Sequence, residues 1–272
     1  MALKFERNLA KILNEKYKDK KPKTAEAPKA EDTSDKTYEF LSGEFGKQIH
    51  EKIIEKYQGV EAITKIPFKD SLVKGSNPFY VVAVNDELRS QNLDVRTATQ
   101  ADLEKILKTN ALNLRDIYED TGLVLRSEEE PNEYLAKNLA KQLKARGYKF
   151  SKTKPLLIWL KDCELIKDEK SNLGLSFKIR DDAVLITAPQ LANTNCQKKF
   201  ATADDNGMPI FDDNGERYNW TRENGLSRLY LNRYLNVISS DDGLANSGEN
   251  GRVVLVRAES ANARAAKIGG TA

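Results

Sequence analysis

Apolar residues recur along this chain with two periods, helical in the first half and alternating in the second. Phe5, Leu9, Ile12 and Leu13 line one face of a helix predicted over Leu3–Tyr17. The stretch that follows, "KDKKPKTAEAPKAEDTSDK", has nothing to bury, which predicts a flexible linker and sets residues 1–36 apart. A detached amphipathic helix of this kind reads as an oligomerisation or docking element, with simple fraying as the alternative. Structure resumes with a helical lead-in over residues 37–76. There Phe45, Ile49, Ile53 and Tyr57 recur every four residues behind Ser42 as a cap, and His50 reads as a solvated residue of that helix.

The run "FYVVAV" at 79–84 is continuous, apolar and β-branched, the pattern of a strand buried on both faces. In "TATQADLEKILKT", Thr99 and Asp102 have capping-box spacing ahead of a face made by Leu103, Ile106 and Leu107. "EEEPNEYLAKNLAKQLKARG" predicts a further helix, with acids at its start, Pro131 in its first turn, a Leu135, Leu139, Leu143 stripe and Gly147 as its stop. From Leu156 onward short strand-like runs take over: "LLIWL", "LSFKIR" and "AVLITA". "DDNGMPIFDDNGERY" then repeats Asp-Asp-Asn-Gly eight residues apart, which tight turns around a short extended piece explain. A calcium loop would want acids at alternate positions and a distal Glu, which this stretch lacks. Helices first and strands later, without βαβ alternation, predict an α+β fold.

The segment "GLSRLYLNRYLNVISSDDGLANSGENGRVVLV", Gly225 to Val256, is different again. Leu229, Leu231, Leu235 and Val237 share odd parity, so in an extended backbone they point one way, and Tyr230, Asn232, Tyr234, Asn236 and Ile238 point the other. One face anchors and the other displays. Beyond Ser239 the parity is lost in "SDDGLANSGENG", with Leu244 as a lone apolar pin, before "RVVLV" forms a second buried strand. A surface loop fastened at its start, middle and end is where a scaffold carries a binding site.

Composition narrows the chemistry. Lys plus Arg number 44 against 41 Asp plus Glu, a net +3, too weak a field to argue for nucleic acid or an anionic membrane. Two cysteines, Cys163 and Cys196, give neither a disulfide framework nor zinc spacing, and a single histidine excludes Ser-His-Asp, Cys-His and multi-histidine metal chemistry within one chain. No cofactor, metal ligand set or catalytic residue is assigned. No run of roughly 20 apolar residues is present, and the charged N-terminal stretch does not read as a secretory signal, so a product made and at first kept in the cytoplasm is expected.

The segment "GLSRLYLNRYLNV…DDGLANSGENGRVVLV", preceded by "YNWTRENG", closely resembles the variable region of the variable proteins of diversity-generating retroelements, best the type of archaeal viruses and related prokaryotic elements. "DVRTATQADLEKIL", "DTGLVLRS" and "DCELIKDEKSNLGLSFKIRDDAVLITAPQL" also resemble that family's C-type lectin domain. The likeness runs roughly from Asn77 to Glu259 and leaves out the N-terminal helix. It implies a C-type lectin fold of the formylglycine-generating-enzyme-like subclass over 77–260, with a variable region at about 225–256, an N-terminal helical extension and a flexible tail at 261–272. It also implies that reverse transcription with adenine miscopying rewrites the variable region. Asn codons, two adenines and a pyrimidine, then become codons for Tyr, Ser, Ile, Asp or Gly without stop codons.

On that basis the expected ligand-binding positions are Tyr230, Asn232, Arg233, Tyr234, Asn236, Ile238, Ser240, Asp241, Gly243, Asn246, Gly248 and Asn250. The residues at 230, 234, 238, 240, 243 and 248 are compatible with draws from Asn, and Asn232, Asn236 and Asn246 with undrawn codons. The implied partner is a protein or cell-surface ligand in a prokaryotic host, with assembly on a virus particle as one setting. Tyrosines supply rigid amphipathic area there, and Asn, Ser and Asp supply adaptable hydrogen bonds. A formylglycine-generating oxidase is the enzymatic alternative, put in doubt because no cysteine follows Cys196. A calcium-dependent sugar lectin is put in doubt because "EEPNE" at 129–133 opens a helix. A non-varying structural protein of a virus particle remains the third reading.

Overall fold

The computed structural model describes residues 36–258. The helix expected over Leu3–Tyr17, its linker up to residue 35 and the tail at 261–272 lie outside them. β1 (Lys36–Phe40) passes through Ser42 into α1 (Gly43–Lys56), followed by the short α2 (Glu61–Thr64) and the hairpin β2 (Phe68–Lys69) and β3 (Leu72–Val73). Next come α3 (Pro78–Ser90), β4 (Val95–Thr97), α4 (Gln100–Thr109), β5 (Glu119–Leu125) and α5 (Glu133–Ala145). The strand-rich part holds β6 (Leu156–Trp159), β7 (Cys163–Lys167), β8 (Leu175–Ile179), β9 (Leu185–Thr187), β10 (Lys198–Ala203), β11 (Pro209–Phe211) and β12 (Arg217–Trp220). β13 (Leu226–Leu231), β14 (Val237–Ile238) and β15 (Val254–Ala258) complete it.

The architecture is mixed α+β around a large curled sheet of eight strands in the order β11-β10-β12-β14-β13-β5-β6-β9. Neighbours in it are antiparallel except β12 and β14, which run parallel. β15 lies between β1 and β4 in a second sheet, so residues 36–76, expected as a lead-in, share one core with the rest of the described chain. Among the described residues no helix is long and apolar enough to cross a membrane.

The run Phe79–Val84 is the central helix α3 and not a strand. Asn77 caps it, its Oδ1 accepting from the N–H of Tyr80 at 2.9 Å, and Pro78 takes the first helical position with its φ already set. Every side chain from Phe79 to Val84 is buried, because α1, β4, β5 and β7 pack around the helix. A helix enclosed on all sides needs no polar face, so periodicity alone does not separate it from a doubly buried strand. Burying each of its Val, Phe and Tyr side chains stabilises the fold by about 1.5–3 kcal/mol.

Two neighbouring expectations change with it. His50 is buried, hydrogen-bonded through Nδ1 to the Tyr80 hydroxyl at 2.7 Å, and burial lowers its pKa below the usual histidine value. Pro131 precedes α5 instead of sitting in its first turn. Asn132 opens that helix in a left-handed conformation, and its side-chain amide donates to the carbonyls of Leu226 and Asp242, which ties the helix start to β13 and to the loop beyond it.

Other local signals fold as expected. The Thr99–Asp102 capping box forms, and Gly147, at φ +80°, ends the α5 segment. The two Asp-Asp-Asn-Gly stretches turn the chain between β10, β11 and β12, with Asp204 and Asp212 accepting from the N–H groups of Asn206 and Asn214 at 2.9 Å each. Gly207 sits at φ +76°, and a Cβ there would meet the backbone N of Ala101 at 2.5 Å, so the first turn seats directly on the start of α4.

Candidate functional site

The site is the central part of the large sheet, where β12, β14, β13 and β5 lie side by side. Register puts Trp220 beside Ile238 and Ile238 beside Tyr230, so these three share one face, and a bulge between Leu229 and Tyr230 brings Asp120 of β5 opposite Tyr230. On the opposite face Leu229, Leu231 and Val237 are buried, as parity predicts for anchors. Leu235 departs from the pattern: it turns the chain at φ +65° and is half-buried. Beyond Ile238, Leu244 pins the loop by inserting into the main core, and Val253 to Val256 are all buried.

The β13–β14 turn is built by asparagines. Asn232 Oδ1 accepts from the N–H groups of Tyr234 and Asn236, both at 2.9 Å, and Asn236 Oδ1 accepts from the N–H of Tyr218 at 2.7 Å. Both side chains are spent on backbone, so positions 232 and 236 shape the turn instead of displaying. What the turn presents is Arg233 and Tyr234. Tyr234 is 62% exposed, and the Arg233 guanidinium lies over its ring, 4.6 Å from the centroid.

Ile238 corrects the parity argument. It points to the display face, yet it is only 7% exposed, enclosed between the strands that carry Trp220 and Tyr230. Alternation tells which way a side chain points but not whether its neighbours close over it.

Tyr230 is half-buried in a cluster that the sequence did not announce. Its ring meets Tyr118 edge-on with centroids 5.8 Å apart, and the Arg228 guanidinium stacks 4.6 Å from its centroid. Arg228 donates from Nε and Nη2 to Asp241 Oδ2 at 3.1 and 2.5 Å and from Nη1 to the Asn246 carbonyl at 3.1 Å. Asp241 in turn accepts from the N–H of Gly243 at 2.8 Å. Burial works against the Asp241 carboxylate, but Arg228 and these hydrogen bonds hold its pKa below the usual range. Asp241 therefore fixes the loop to β13.

Asp120 is fully buried, 3.5 Å from Arg228 Nη1, with neither carboxylate oxygen taking a hydrogen bond. Burial raises its pKa to about 6 in spite of Arg228. Tyr118 locks the far end of the loop. Its hydroxyl accepts from the N–H of Gly248 at 2.7 Å and donates to the Ser76 carbonyl at 3.0 Å, and its own backbone N–H donates to the Asn250 carbonyl.

The expected display positions thus divide. Arg233, Tyr234, Asn246, Gly248 and Asn250 are exposed, and a Cβ at Gly248 would have only Tyr118 within 4 Å, at 3.9 Å. Ser240 is half-buried, its carbonyl accepting from Arg222. At Gly243 a Cβ would meet the exposed Asn246 side chain, Nδ2 at 2.2 Å and Cβ at 3.2 Å, so a larger residue there has to turn that amide aside. Asn246 and Gly248 also line a groove of about 490 Å³ whose other wall includes Lys65, Ile66, Pro67 and Lys74.

Tyr118, Arg228, Tyr218 and Trp220 are the residues that sequence reasoning missed. Of these, Tyr218 and Trp220 carry a legible signal, the alternation in "RYNW" immediately before the display segment. Arg126 is a further omission. Its buried guanidinium donates to the Leu191 and Ser239 carbonyls and to the hydroxyls of Ser227 and Ser239, holding three segments around the base of β13. Comparison with protein families, characterised proteins and solved structures finds no match to this chain.

Proposed function

We propose that this chain is a ligand-binding protein whose recognition surface is the β13–β14 turn and the loop that runs from Ser239 to Arg252, carried on a C-type-lectin-like scaffold. On this reading it is the variable protein of a diversity-generating retroelement, and its exposed loop positions are rewritten by adenine-directed mutagenesis. The observation that carries the proposal is the division of labour inside one short segment. Leu229, Leu231, Val237, Leu244 and Val253 are buried anchors, while Arg233, Tyr234, Asn246, Gly248 and Asn250 lie outside the core. Side chains free of the core can change identity at little cost to folding, which a diversified binding surface requires. Tyr and Arg at the exposed turn are the side chains that most often dominate binding energy.

The test is the gene and its flanking DNA. A near-identical non-coding repeat is expected nearby, with adenines at the first two codon positions wherever the gene differs from it, together with a reverse-transcriptase gene. Differences should fall on codons such as 234, 246, 248 and 250 and spare those of Leu229, Leu231, Leu244 and Val253. A genome without the repeat, or with differences spread over anchor codons and over bases other than adenine, would return this protein to ordinary binding domains.

A further inference from the structure

The Asp120–Arg228–Asp241 cluster holds two carboxylates against one guanidinium, and their hydrogen bonding is unequal. Asp241 takes the donors of Arg228 and the N–H of Gly243. Asp120 takes none, although no part of it reaches solvent and both of its oxygens are enclosed. The Ser76 hydroxyl, which accepts from the Asp120 backbone N–H at 3.3 Å, favours the ionised carboxyl but closes no hydrogen bond with either of its oxygens. A carboxyl group left without donors inside a protein is a costly arrangement and a strong acceptor for any donor that reaches it.

Tyr230 lies across that approach. It pairs with Asp120 across the strands just past a bulge between Leu229 and Tyr230, and its half-exposed ring, stacked on the Arg228 that faces Asp120, bridges from solvent to the cluster. The walls around it are the Tyr118 ring and the Arg228 plane. We propose that residue 230 is a gate: with tyrosine the surface is closed, and with a small residue it opens a pocket, floored by Asp120 and walled by Tyr118, that takes a primary ammonium group from the ligand. An ammonium fits better than a second guanidinium. It is compact, it brings three donors to a carboxyl that has none, and the plane beside Tyr118 is already occupied by Arg228. The added charge also balances the cluster's second carboxylate. In biological use the inference rests on the proposed variation at position 230, since only a changing residue makes the gate a selector of ligand class.

The pocket itself is tested without that assumption. Tyr230→Gly is titrated with benzylamine and with its neutral counterpart benzyl alcohol near pH 7.5, following backbone amide NMR shifts of residues 118–120, 228 and 241. Benzylamine is expected to bind Tyr230→Gly at least tenfold more tightly than benzyl alcohol, to leave the parent protein unshifted, and to lose its advantage in Tyr230→Gly/Asp120→Asn. Equal affinity for the two compounds, no binding of either, or a preference that survives the Asp120 substitution would overturn the inference. Should Tyr230→Gly not fold, Tyr230→Ser replaces it. Loss of a folded spectrum in both would also overturn it, because the gate requires a scaffold that stands without the ring. A failed search for a template repeat leaves these titrations unaffected, so the two proposals fail separately.

Discussion

Replacing Leu231, Ile238 and Tyr234 by alanine one at a time separates burial from direction along one short segment. Leu231 is buried in the cluster that joins β13, α4 and β15, with Ile106, Val254 and Val256 around it. Truncation removes about three methylene equivalents, or about 2.4 kcal/mol of transfer free energy at ~0.8 kcal/mol each. The residual cavity brings the loss to about 3–4 kcal/mol. In a chain of this size each kcal/mol moves Tm by about 2–4 °C, so Leu231→Ala should melt about 6–16 °C below the parent. Ile238 points the other way but is covered, and it belongs to none of the main apolar clusters. Its truncation leaves a shallower hole that neighbours and water partly fill, for an expected loss of about 1–2 kcal/mol. Tyr234, exposed and stacked on Arg233, should change stability by less than about 0.5 kcal/mol. Thermal melts and urea titrations of the three variants, with unchanged m-values, give the order directly. Equal losses at 231 and 234 would refute the division into anchor and display side chains, and a silent Ile238→Ala would refute its enclosure.

Three further outcomes follow from the site. Asp241→Ala should cost about 1.5–3 kcal/mol by leaving Arg228 and the Gly243 N–H without their acceptor, whereas Asp242→Ala, at an exposed ion pair with Arg222, should cost under about 1 kcal/mol, read by denaturant melts. Because the folded pKa of Asp241 is depressed, its contribution is present above the unfolded value near 4 and is lost as pH falls through the folded one, so the Asp241→Ala difference should shrink in strong acid. Asp120 has the opposite sign. Its pKa is raised to about 6 in the fold, so its ionisation there opposes folding above that pH by on the order of 3 kcal/mol, a penalty relieved as pH falls toward 4. Asp120→Asn should flatten Tm against pH between 4 and 6 and raise Tm at pH 7.5, and an unchanged profile would show that Arg228 already neutralises the carboxylate. Gly207→Ala should lower Tm well beyond the effect of Asn206→Ala, since it forces a Cβ into the start of α4 at a positive φ.

What was legible in the sequence is what depends on near neighbours. The Thr99–Asp102 box, the Leu135, Leu139, Leu143 stripe and the Asp-Asp-Asn-Gly turns all formed, because each is decided within four residues of chain. Parity placed Leu229, Leu231 and Val237 in the interior for the same reason. α3 was misread because enclosure on every side erases the polar face by which a helix announces itself, and the Asn77–Pro78 cap was the overlooked signal. His50 was read as solvated because its partner, Tyr80, is thirty residues away. In the Tyr118–Arg228–Asp241 cluster the pairing of β13 with β5 brings in Tyr118, and the loop folding back onto β13 brings in Asp241.

β15 has a consequence for how the chain is made. It seats between β1 and β4, pairing Lys36 with Ala258 and Thr97 with Leu255, so that sheet joins stretches more than 150 residues apart. A ribosome releases β15 only after the whole 239–252 loop, and until then β1 and β4 wait with open edges. Long-range pairings of this sort close late, and unpaired edges invite association with other chains. Closure of that sheet therefore depends on the loop: a loop sequence that cannot lay Leu244 into the core and carry Val253 to its place would leave the edges of β1 and β4 unpaired and the chain open to aggregation or proteolysis.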